Sequence, residues 1–155
     1  MRLRPLLFPA FLLLPLLTSA ASIREAYSRY MLEGEFQYLL EFFTGQEYTG
    51  NRLVQRTNEE DRGGQYFVLH LDTRLRDLPA GTVAELEVIS TESVDPELHT
   101  FPLEVRRKPR SRILYLGLTG SAWPGADTPP LAWRVVLREG DRELAEWKSF
   151  LWEMP

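Results

Sequence analysis

Cysteine is missing from all 155 residues. That absence excludes disulfides, thiol nucleophiles, zinc–thiolate centres and iron–sulfur clusters together. It also excludes a bacterial lipid anchor that needs a leader-junction cysteine. Histidine is scarce: only His70 and His99 occur. They stand at no ligand spacing, so they read as structural or solvated side chains, His70 on a strand and His99 in a loop. No phosphate-cradling glycine loop and no G-x-S-x-G elbow is present, and neither Ser121 nor Ser149 has a base identifiable from sequence. Paired carboxylates meet in space rather than in sequence, so 22 acidic residues carry no information about glycoside cleavage. No cofactor is implied. Long apolar runs are missing too. Leu6–Leu17 spans 12 residues, whereas a membrane span needs about 20.

That run has the layout of a signal peptide. Arg2 and Arg4 precede it, and Thr18-Ser19-Ala20-Ala21 follows it with small residues suited to cleavage. Pro9 and Pro15 argue against a buried helix there, because each removes a helix hydrogen bond. The expected organisation is a leader over 1–20 and one domain over 21–155. Such a chain is exported, periplasmic or secreted, with no stable membrane span after cleavage. Export without cysteine or an Asn-x-Ser/Thr site suits a bacterial envelope. The formal net charge is −4, and loss of Arg2 and Arg4 makes it two units more acidic. That balance gives no nucleic-acid footprint.

What is present is strand periodicity. Leu131–Trp152 has two apolar arms around Glu139-Gly140-Asp141-Arg142, the pattern of a hairpin. Three of the four tryptophans lie in it, which makes it the expected centre of the core. Further strands are expected over 35–42, 51–57, 65–73, 82–90, 100–106 and 113–119. Pro102 marks its strand as an edge, and the continuous apolar run 113–119 marks a strand buried on both faces. One helix is expected over Ser22–Glu33, from the S-x-x-E capping box of Ser22 and Glu25 and the spacing of Ile23, Ala26, Tyr27, Tyr30 and Met31. The fold class is therefore an all-β antiparallel sandwich of about eight strands, immunoglobulin-like or fibronectin-like, with one short N-terminal helix after the leader. A closed lipocalin-like barrel is the alternative.

Candidate sites are few. Trp123 sits in the Gly/Pro-rich loop 120–130, where a stiffly held ring can stack on a sugar or anchor a protein contact, with Asp127 nearby to accept hydroxyl hydrogen bonds. The bland alternative folds Trp123 inward as a plug. Arg106, Arg107 and Arg110 belong to a basic turn, 106–112, that either attracts an anionic partner or keeps an edge strand from aggregating. Asn58-Glu59-Glu60-Asp61 is oxygen-rich but lacks the alternating order of a calcium loop, so it reads as a solvated hairpin tip. The expected function is non-enzymatic: a protein that binds another protein or associates with itself. A carbohydrate-binding module using Trp123, with a polysaccharide ligand, is the second reading. A hydrolase whose residues converge only in space is the third.

Overall fold

Two strands are apolar on both sides, and this decides the architecture. β3 (Gly64–Leu71) and β6 (Ile113–Thr119) are buried along almost their whole length. A strand can bury both faces only in the middle of a sheet that is itself covered twice. The computed structural model, which describes residues 21–50, 52–103 and 110–153, places them so. One sheet has the order β1-β3-β6-β2, with β1 at Ile23–Met31 and β2 at Arg52–Arg56. The second has the order β5-β4-β7-β8, with β4 at Thr82–Ile89, β5 at Glu97–Pro102, β7 at Ala132–Glu139 and β8 at Arg142–Lys148. The sheets share no strand, so the protein is an all-β sandwich and not a closed barrel.

Between the sheets, Phe67, Leu69, Leu114, Leu116 and Leu118 meet Ala84, Leu86, Val135 and Leu137, all fully buried. The Phe67 and Trp133 rings touch edge to face at 5.2 Å. The outer face of the second sheet follows a different rule. β4 alternates strictly, and its outward Glu87 lies across the ladder from Arg134 of β7 while Glu85 reaches Arg138 diagonally. Arg134 lies between Glu87 (2.9 Å) and Glu146 (2.6 Å), and Arg138 bonds Glu85 at 2.8 Å. Each pair contributes roughly 0–1 kcal/mol at the surface, so the ladder acts mainly to keep that face solvated.

The hairpin, the β4 strand, the doubly buried β6 and the edge position of Pro102 follow the sequence pattern. Four readings do not. Ser22–Glu33 is not a helix but contains β1, paired antiparallel with β3. A bulge between Ile23 and Glu25 is the reason: the extra residue lets Ile23, Ala26 and Tyr30 all face the core, a 3–4 spacing that imitates a helix. The capping reading fails with it, because the Ser22 N–H goes to Asp72 Oδ1 at 2.8 Å. The segment 35–42 is not a strand. It folds as a 3-10 turn (Glu33–Phe36) and the short helix α1 (Leu39–Thr44), closed by Gly45 at φ 66. β5 begins earlier than expected, which puts His99 inside a strand opposite Leu86. Finally, β2 pairs with β6 in parallel, not with β3. Asn58–Asp61 is therefore a crossover past the end of β6, tied there by the Asn58 N–H to the Thr119 hydroxyl at 3.0 Å, and not a hairpin tip.

Ser22, just before β1, is clamped at Asp72. Its carboxylate accepts the Ser22 backbone N–H, and its own N–H donates to the Ser22 carbonyl at 3.0 Å. The Ser22 backbone bond first, then the Ser22 and Thr73 hydroxyls, pull its pKa from 3.8 to about 2. A depressed carboxyl stabilises the fold above its unfolded pKa and loses that contribution as pH falls through the folded value. Asp72→Asn is accordingly expected to lower stability at neutral pH, with the gap to wild type closing between about pH 4 and about pH 2. Urea titrations across that window check this; a gap that does not change with pH overturns it.

Candidate functional site

The outer face of the β1-β3-β6-β2 sheet carries a second, smaller core. Tyr66 and Val68 of β3, Tyr115 of β6 and Met31 of β1 point outward and are buried, with Val54 and Ile113 packed beside them. These side chains need a cover, and residues 32–50 supply it as an arm across the sheet. Phe36 is the plug: it is almost fully buried and its ring lies 4.7 Å from that of Tyr66. Glycine makes room below. Tyr66 is opposite Gly117 in the ladder, and a Cβ at Gly117 would sit 2.5 Å from the Tyr66 ring.

Polar pins hold the arm. Arg56 of β2 forms a bidentate pair with Glu47 at 2.7 and 2.9 Å, and its Nε–H donates to the Tyr66 hydroxyl at 2.7 Å. Its side chain is only 5% exposed, and its guanidinium lies 4.8 Å from the Phe36 ring centre. Burial opposes the Arg56 charge, but the bonds from Glu47 and Tyr66 outweigh it and hold its pKa above the ordinary value. Burial also pushes the Tyr66 hydroxyl up, against Arg56. Tyr66 thus stays protonated and donates to the Arg62 carbonyl at 2.6 Å. Arg62 in turn pairs with Glu41 of α1 at 2.6 Å, a bond that keeps the Glu41 carboxyl below its usual range. Arg52 reaches the Tyr38 hydroxyl, and Arg29 reaches Glu35.

These groups satisfy one another, and among the described residues no buried side-chain polar atom lacks a partner. The cluster offers no activated nucleophile. Its effect is mechanical: it fixes α1 on the surface with its apolar side chains facing out. No residue of α1 is buried. Leu39 is 78% exposed, Phe42 85% and Phe43 74%, and the two phenylalanine rings meet edge to face at 5.6 Å. A six-residue helix has little stability alone, so the pins and not the helix itself hold this knob. Fully covering one such side chain is worth about 1.5–3 kcal/mol. The knob was legible only as the doublets Leu39-Leu40 and Phe42-Phe43, which put apolar groups on both faces of any strand. Arg56, Glu47 and Phe36 gave no signal.

The residues singled out from sequence fare differently. Trp123 is 7% exposed, part of the main core, and its indole N–H donates to the Thr128 carbonyl at 2.9 Å. It is a plug, and the carbohydrate reading loses its stacking platform. Asp127 is exposed on the same loop. Arg110 is exposed, while Arg106 and Arg107 lie outside the described residues. His70 and His99 sit on different sheets; burial lowers the His99 pKa, opposed by Glu97. Among the described residues there is no group of three or more metal-ligating side chains, and no helix is long and apolar enough to cross a membrane. Comparison with protein-family models, curated proteins and solved structures gave no match.

Two substitutions test the plug and its seat. Gly117→Ala drives a methyl group into the Tyr66 ring and is expected to destabilise by about 1–3 kcal/mol, measured by urea denaturation. Phe36→Ala removes the plug. Amides of Leu39–Gly45 should then lose hydrogen-exchange protection while those of β4 and β7 keep theirs; unchanged protection in α1 would show that Phe36 does not hold the arm.

Proposed function

We propose that this chain is an exported, non-enzymatic, immunoglobulin-like sandwich that binds another protein through the α1 knob. The topology supports the immunoglobulin-like part. With β2 set aside, β1-β3-β6 facing β5-β4-β7-β8 follows the order of strands A, B, E facing C′, C, F, G in that fold. β2 is then an insertion in the first connection. It takes the place beside strand E, but runs parallel to it. Export rests on the leader-like composition of residues 1–20.

The observation that carries the binding role is the exposure of Leu39, Phe42 and Phe43 on a fixed arm. Contiguous apolar groups held out by a rigid scaffold mark a contact site, and aromatic anchors dominate the energy of protein interfaces. Glu33, Glu35, Glu59 and Glu60 are exposed on the arm and on the loop leading to Arg62, whose guanidinium pairs with Glu41 of α1. The complementary partner is an apolar pocket with a basic rim.

A photo-cross-linking residue at position 42, in cells making the chain with its own leader, is expected to give discrete protein adducts. The same residue at Val94, equally exposed but isolated in the loop after β4, is expected to give none. The pair Phe42→Ser and Phe43→Ser should leave the thermal midpoint unchanged and abolish the contact. No adduct at 42, or the same adducts from 94, would rule the knob out.

A further inference from the structure

We propose that a second copy of this chain pairs with the free edge of β1, antiparallel, in the register that sets Tyr27 opposite Tyr27. The two four-stranded sheets then run on as one across a two-fold axis. This goes beyond the α1 reading and uses a different surface.

The first observation is which edge is unguarded. Sheet edges are normally blunted by proline, bulges or short length. β5 is a six-residue strand that contains Pro102. β2 has five residues. β8 is irregular opposite Leu137 and Arg138. β1 is the longest of the four edge strands at nine residues, contains no proline, and has its one bulge at the extreme start. From Glu25 to Met31 it is regular, and no described segment hydrogen-bonds its outer edge as a strand.

The second observation is charge complementarity of β1 with itself. Glu25, Tyr27 and Arg29 alternate along its outer face and are all exposed. Antiparallel pairing centred on Tyr27 sets Glu25 against Arg29 of the copy twice over, Tyr27 against Tyr27, and Ala26 against Ser28 on the inner face. Opposite charges and aromatic rings directly across a ladder are both favourable pairs. Neighbouring registers are worse. A shift of two residues either way loses both Glu–Arg pairs. A shift of four sets Glu25 against Glu25 or Arg29 against Arg29. A shift of one turns the faces over. Arg29 already bonds Glu35, but a guanidinium has five N–H donors and serves both carboxylates.

The test uses the processed chain in sedimentation equilibrium. Wild type is expected to be a reversible dimer. Glu25→Arg alone and Arg29→Glu alone should each raise the dimer dissociation constant by about tenfold or more, since each loses two attractive pairs and creates two like-charge ones. The double exchange, Glu25→Arg with Arg29→Glu, should restore it. Because the chain has no cysteine, Tyr27→Cys provides a second readout: oxidation should give a covalent dimer, while Val94→Cys should not. A monomer at every concentration overturns the proposal. So does a dimer indifferent to the charge exchanges, and one lost on Phe42→Ser with Phe43→Ser would put self-association at α1 instead.

Discussion

The structure depends on a sheet that is apolar on both faces. Tyr66, Val68 and Tyr115 point away from the main core, yet Tyr66 and Val68 are fully buried and Tyr115 nearly so. In a simple sandwich those positions would be polar and wet. Their chemistry forces a third layer over one half of the molecule, and the 32–50 arm is that layer. Phe36 does the covering. The rest of the arm exists because a chain must reach Phe36's site from β1 and return to β2.

A cover built from one ring and a few turns would fray, and the polar pins compensate for that. Arg56 is the central one, because it meets Phe36, Tyr66 and Glu47 at once. A buried guanidinium is unfavourable unless its donors are used. Here Glu47 of the arm takes two and Tyr66 of β3 a third, so the guanidinium joins the arm to the sheet. One arm thus supplies both the Phe36 ring beside Arg56 and the Glu47 carboxylate that neutralises it. That coupling makes α1 a fixed feature, even though none of its own side chains is buried.

Sequence reading succeeded where burial is one-sided or complete. The alternation of Trp133, Val135 and Leu137 and the break at Gly140 define the terminal hairpin, and the unbroken run from Leu114 to Leu118 defines a central strand. It failed where a single residue shifts the phase. The bulge at Arg24 gives the β1 strand the apolar spacing of a helix. In the arm, Phe36, Tyr38, Leu40 and Phe42 alternate as a strand would, but no neighbouring strand pairs with them and the segment folds as two short helical turns. The pairing of β2 with β6 joins residues some sixty positions apart, and no local pattern carries that. Trp123 shows the same limit from the other side: a Gly/Pro-rich loop does not reveal whether its aromatic residue turns in or out.

The two sheets divide the labour of facing water. The outer face of β5-β4-β7-β8 is laced by Arg134 and Arg138 with glutamates from the strands on either side, and a charged ladder of that kind resists further packing. The other sheet has no such ladder. Its outer face is closed by an arm that hides one aromatic ring and displays two, and its β1 edge is long and regular. The apolar display of the arm and the open β1 edge thus fall on the same half of the molecule, while the other half combines its charged ladder with an exposed Phe150 and Leu151 after β8. A fold selected only for solubility has no reason to hold Phe42 and Phe43 out on a pinned arm when the same positions could be polar without loss of any buried contact. In the proposed reading, the pinned arm is the part of this half that would meet a partner, and the Arg134–Arg138 ladder is the part of the other sheet that faces solvent.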